Sequence, residues 1–124
     1  MTPYQLQHFN KLKKQAPNRL VEIYHITKTD NMPNIYQHGL LPKIGKNAKN
    51  LDETKPRIYF FSTPVYATDA LLNWFGDLYD LDTPLTEITV QLPIKLLNKQ
   101  ANLDWEVTTT QPVSSKYIVA TEDC

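Results

Sequence analysis

The chain has 124 residues, a length that fits one hydrophobic core and leaves little room for a second. Hydrophobic residues at 41% and charged residues at 21% exclude a disordered or low-complexity organisation. Thirteen basic and thirteen acidic side chains cancel, which excludes a chain-wide field toward DNA or an anionic membrane and leaves nucleic acid only a local patch.

Residues 1–17 read as a leading helix. Thr2 is the expected cap, Pro3 suits the first helical position, and Gln5 is placed to complete a capping box. Leu6, Phe9 and Leu12 form a narrow apolar stripe, and the run stops near Ala16 because the residue before Pro17 is pushed away from helical angles. Residues 20–27 read as a strand. Asp30 is the expected cap of a short helix that carries Met32, Ile35 and Tyr36, tolerates Pro33 in its first turn and stops at Gly39. Residues 41–56 are polar and lack periodicity, longer than a usual connection, so they read as a functional loop lying as a flap over a site.

Residues 57–62 form a compact predicted strand. Thr63-Pro64 then starts a helix whose Ala67, Ala70, Leu71 and Trp74 share a face until Gly76 closes it. Residues 86–92 alternate, with Ile88, Val90 and Leu92 inward and Glu87, Thr89 and Gln91 outward, until Pro93 ends the strand. Residues 105–119 offer two more short strands around Gln111-Pro112. The last residue, Cys124, is the single cysteine, so no internal disulfide forms and a reducing, cytoplasmic setting is expected. The polar start and the lack of any run of about twenty apolar residues indicate neither export nor membrane insertion. No internal repeat or linker is visible. The expectation is one α+β domain over residues 1–124, with the core in residues 20–120.

Three chemistry-bearing residues fall on predicted strands: His25, Tyr59 and Glu106. Each also has an ordinary structural role. A strand histidine is commonly half-buried and satisfied by a local hydrogen bond, Tyr59 in Ile58-Tyr59-Phe60-Phe61 fits core packing, and Glu106 fits the outward side of an alternating strand. Composition and spacing do not choose between these roles. His38 before Gly39 suits a helix C-terminus, where the dipole favours it, and His8 sits on the polar side of the first helix. Neither His-x-x-x-His nor Cys-x-x-Cys spacing occurs, so no metal is expected. The absence of Gly-x-Gly-x-x-Gly, of a Walker-type loop and of Gly-x-Ser-x-Gly argues against dinucleotide-fold, P-loop and hydrolase readings.

The blocks Ile23-Tyr24-His25-Ile26-Thr27, Asn31-Met32-Pro33-Asn34-Ile35 and His38-Gly39-Leu40-Leu41-Pro42 resemble the opening of small ADP-ribosyltransferase-like proteins, including the DarT-like group. Pro56-Arg57-Ile58-Tyr59-Phe60-Phe61-Ser62 is similar to their second motif, and Asp104-Trp105-Glu106-Val107 stands where a late strand presents the catalytic acid. The resemblance covers about residues 21–118. It implies an ADP-ribosyltransferase-like split β-sheet with flanking helices, to which the leading helix is an addition. It also implies NAD as substrate, held by His25, Ile26, Thr27, Arg57, Tyr59 and Ser62. Within that set His25 and Thr27 meet ribose and carboxamide, Tyr59 lies under nicotinamide, and Arg57 reaches the pyrophosphate, although Arg57 equally suits a strand-edge surface charge. The catalytic set is then Glu106, His25 and Tyr59.

The chemistry fits those residue types. Breaking the nicotinamide–ribose bond requires hydrogen bonds that hold the substrate, an aromatic face for the cationic nicotinamide, and a carboxylate for the oxocarbenium-like centre left behind. The resemblance therefore implies a mono-ADP-ribosyltransferase acting on a macromolecular acceptor, as a toxin, an effector or a phage-encoded modifier, with an antitoxin or an inhibited partner protein as a further expectation. The short stretch between Gly76 and Leu85 offers no DNA platform, which ranks a protein acceptor above a nucleic acid. Two alternatives stand beside it. One is a non-catalytic binding or inhibitor module of the same fold, with Trp74, Phe75, Leu78 and Tyr79 as its contact face. The other is an RNA 2′-phosphotransferase, ranked lower because the matching motif has one arginine where such enzymes use several basic residues.

Overall fold

A computed structural model describes residues 3–42, 56–73, 82–99 and 105–124. Helix α1 spans Pro3–Gln15. Phe9 packs on the core while Leu6 and Leu12 are half-buried, as their stripe predicts. Lys13 ties the helix to the body of the protein: its Nζ donates to the Leu97 carbonyl at 2.7 Å and to Asn98 Oδ1 at 3.3 Å.

Strand β1 spans Leu20–Lys28, one residue past its expected end. A 3-10 turn, Thr29–Asn31, then leads into α2, Met32–His38. The expected cap at Asp30 is corrected, since Asn31 precedes the helix and makes no side-chain capping bond. Its backbone is already helical, at φ −80° and ψ −12°, whereas a capping side chain works from an extended backbone. Asn31 Nδ2 donates instead to Thr27 Oγ1 at 2.9 Å. Met32 and Ile35 are buried. Tyr36 is not, being 54% exposed, because one helical step from Ile35 carries it off the narrow inward stripe.

Gly39 ends α2, its N–H donating to the Ile35 carbonyl at 2.7 Å. At φ 77° and ψ −171° it occupies a region reserved for glycine. A Cβ there would lie 2.2 Å from the Val113 carbonyl oxygen. That close approach lets Leu40 and Val113 exchange two backbone hydrogen bonds, of 2.8 and 2.9 Å. A late segment of the chain is thereby fastened beside the end of α2.

The remaining elements are β2 (Ile58–Phe61), α3 (Pro64–Asn73), β3 (Leu85–Pro93), β4 (Glu106–Thr109) and β5 (Ile118–Asp123). Thr63 caps α3 by accepting from the Tyr66 N–H at 3.1 Å. The last strand is displaced from its expected place: it runs to Asp123, because Val113 is engaged with Leu40 and the turn Ser115–Tyr117 delays the strand start to Ile118. The residues of the expected flap other than Leu41, Pro42 and Pro56 lie outside the described residues, as do Trp74, Phe75, Gly76, Leu78, Tyr79 and Asp104.

The strands form one antiparallel sheet in the order β4-β2-β1-β3-β5, giving an α+β fold with flanking helices. One face carries Ile23, Ile58, Phe60, Ile88, Val90, Leu92 and Val107 and is covered by α1, α2 and residues near Val113. The other face carries Ile26 and Phe61 beneath Ala67 and Ala70 of α3, whose small side chains let helix and sheet approach closely. The expected inward set of β3, Ile88, Val90 and Leu92, is buried, and Glu87, Thr89 and Gln91 are half-buried on the opposite face.

Pairing within the sheet is uneven. All nine residues of β1 are in register with β3, from Leu20 opposite Pro93 to Lys28 opposite Leu85. Between β1 and β2, among the described residues, the register is one pair, Tyr24 opposite Phe61. The sheet is continuous there but barely laced.

Candidate functional site

At that sparsely paired seam lies a cleft of about 250 Å³. His25 and Thr27 from β1, Asn31 and Asn34 from the start of α2, Gly39, Leu40 and Leu41 after α2, and Arg57, Ile58 and Tyr59 at β2 are among its lining residues. The local causes are visible in the chain. The tight turn after β1 folds α2 back over its end, and Gly39 then sends residues 40 and 41 along the cleft wall. Among the described residues the lining contains a guanidinium and an imidazole and no carboxylate, so these walls favour a neutral or anionic ligand group.

His25 holds the seam. Its Nδ1 lies 2.8 Å from the Tyr59 carbonyl, and since a carbonyl only accepts, Nδ1 carries the hydrogen. In the neutral ring Nε2 is then the acceptor nitrogen. Phe60 packs edge-on against the imidazole with centroids 5.7 Å apart. Thr27 is buried and accepts from Asn31, so its own hydroxyl hydrogen remains to be donated. Tyr59 is 36% exposed.

The strand register separates the catalytic trio by face. His25 and Thr27 share the α2 side of β1 with Ile23, whereas alternation turns the Tyr59 side chain to the face of Phe61 and Glu106. Glu106 opens β4 opposite Phe61, two pairs along from Tyr59 opposite Thr108. The cleft lining thus brings together His25, Thr27, Arg57 and Tyr59 of the sequence-derived set. Ile26 faces the second core cluster under α3, Ser62 donates its N–H to the Trp105 carbonyl at 3.0 Å, and neither they nor Glu106 are among the lining residues.

Asn31 and Asn34 line the cleft without having been singled out as ligand-binding residues. Their i, i+3 spacing across the start of α2 was the available signal, since it stacks two amides on one helix side.

Away from the cleft, the open face of β1, β3 and β5 carries its own electrostatics. Tyr24 is pushed up to about 12 by burial and by its hydrogen bond to Glu22, 2.8 Å away. Glu87 is raised by burial and by Glu122 directly opposite on β5. Among the described residues there is no group of three or more His, Cys, Asp or Glu arranged to hold a metal ion. No helix among them is long and apolar enough to cross a membrane. No family model matches the chain, and no curated protein or solved structure matches it.

Proposed function

We propose that the cleft between β1 and β2 binds NAD and that the protein is a mono-ADP-ribosyltransferase acting on a macromolecular acceptor. The observation that carries this reading is the common cleft lined by His25, Thr27, Arg57 and Tyr59, four residues drawn from two separate motifs of the resemblance. The thinly paired β1–β2 seam corresponds, in this reading, to the split of an ADP-ribosyltransferase-like sheet.

The volume supports a partial enclosure of NAD. About 250 Å³ is below the roughly 300–1,000 Å³ of pockets that enclose drug-sized ligands, so the described walls suit the nicotinamide riboside half, with the rest of the dinucleotide extending past Arg57 and Leu41. Thr27 donates to the carboxamide or a ribose hydroxyl, the Nε2 side of His25 accepts from a ribose hydroxyl, and Arg57 meets a phosphate as a guanidinium fork. Tyr59 holds the β2 wall of the cleft through its carbonyl, bonded to His25, while its ring stands on the opposite face of the sheet from His25 and Thr27. Departure of nicotinamide with the bonding electron pair leaves a positive ribose. Glu106, on the Tyr59 face and outside the described lining, is the carboxylate assigned to steady it across the thin seam, and the acceptor nucleophile closes the new bond and gives up its proton to solvent.

Purified protein incubated with NAD and an acceptor extract is expected to release nicotinamide and to place ADP-ribose label on a macromolecule. Glu106→Gln should abolish transfer and keep NAD binding close to wild type. Undiminished transfer by Glu106→Gln removes that residue from the reaction. The inhibitor-module reading is favoured instead if NAD produces no thermal stabilisation, since a ligand that binds only the native state raises its stability.

A further inference from the structure

Charge that cancels over the whole chain is segregated in the fold. Residues 1–21 and 88–103 contain Lys11, Lys13, Lys14, Arg19, Lys95 and Lys99 and no carboxylate, leaving seven cations against thirteen carboxylates elsewhere. The fold brings the two stretches together at one end of the sheet. Leu20 pairs with Pro93, the Ile94 N–H donates to the Arg19 carbonyl at 2.8 Å, and the Lys95 N–H donates to the Pro17 carbonyl at 3.0 Å. Lys11, Lys14, Arg19 and Lys95 are exposed. Among the described residues none of these four makes an ion pair or a side-chain hydrogen bond.

We infer that this end, formed by the outer side of α1, the turn into β1 and the turn Ile94–Leu96, docks on the phosphate backbone of duplex nucleic acid. Lys13 and Lys14 are accounted for in part by the negative C-terminal end of α1. Lys11, Arg19 and Lys95 lie off that helix end or a turn earlier, so the dipole does not explain the whole cluster. Gln7, Lys11 and Lys14 recur at helical spacing on the side of α1 opposite Phe9, and the exposed amides of Gln7, Gln15, Asn18 and Asn98 add neutral donors of the kind that contact phosphates.

Composition separates a duplex from other polyanions. Leu20 is the one large exposed apolar side chain at this end among the described residues, so an interfacial membrane helix has no apolar face to insert. His8 is the one exposed aromatic ring on α1 among the described side chains, and a single ring gives no platform for the successive unstacked bases of a single strand. A rigid array of phosphates asks only for spaced cations and amide donors. The inference stands independently of NAD binding.

Fluorescence anisotropy with a labelled mixed-sequence DNA duplex of about 24 base pairs, from about 25 to 200 mM salt, tests it. Four phosphate contacts predict a slope of log affinity against log salt of about −3.6. Lys11→Glu with Lys14→Glu is expected to weaken binding roughly tenfold or more and to halve the slope, while the NAD-induced rise in Tm stays at its wild-type value. The neutral pair Lys11→Gln and Lys95→Gln, on separate elements, should halve the slope as well. Absence of binding at the lowest salt, insensitivity to both variants, or tighter binding to phosphatidylserine vesicles or polyglutamate than to the duplex would overturn the inference.

Discussion

The two edges of β1 are held by different means. Toward β3 all nine residues are in register and the side chains on the α1–α2 face reach a dry core, with Ile23, Ile88 and Val90 fully buried. Toward β2 one pair is in register, and a side chain, His25, supplies a cross-link to the Tyr59 carbonyl. One edge contributes stability and the other leaves room for a ligand between strands. Low local stability is the usual property of segments that bind and move.

Truncating the core at the well-paired edge should have the largest effect. Ile88→Ala, at a site with 0% exposure, is expected to cost about 3–4 kcal/mol in urea unfolding. A cost below about 1 kcal/mol would mean that β3 is not where the stability resides. Gly39→Ala comes next, at about 2–3 kcal/mol, because the substitution is strained at φ 77° and its Cβ collides with the Val113 carbonyl. It should also weaken NAD binding, since Gly39 and Leu40 form part of the cleft wall.

At the loose edge the effects are smaller. His25→Ala removes the hydrogen bond to the Tyr59 carbonyl and the edge-on contact with Phe60 and is expected to cost about 1 kcal/mol, with faster amide exchange in β2 and unchanged exchange in β3. Acceleration in β3 instead would show that the two edges are mechanically coupled. The smallest effect is expected at the Glu87–Glu122 pair. Glu87 is raised in the fold, so its protonated form is favoured there: the stabilising contribution is present below the ordinary glutamate value and lost as pH rises past the raised one. Repulsion from the Glu122 carboxylate opposite is relieved when Glu87 takes up a proton. Glu122→Gln should therefore stabilise by a few tenths of a kcal/mol at pH 7, a gain that fades as the solution is acidified through the range where Glu87 protonates.

Much of the well-paired edge was legible in the sequence, and much of the loose edge was not. The alternation of Ile88, Val90 and Leu92 and the stop at Gly39 are local signals, set by side-chain period and by a backbone that only glycine adopts. The last strand was misplaced because its surroundings are long-range, set by the fastening of Val113 to Leu40. The separation of His25 from Tyr59 and Glu106 by sheet face depends on register between strands more than thirty residues apart in sequence, which periodicity within each strand does not carry. Charge shows the same contrast. The acid-free stretches stand in the sequence, but their union at one end is made by the pairing of Leu20 with Pro93.

Amide hydrogen exchange with and without saturating NAD tests the central claim most directly, because it reports both binding and place. The account predicts slower exchange concentrated in residues 25–41 and 57–59, with β5 unchanged. An unaltered exchange map, or protection centred away from the β1–β2 seam, would contradict it.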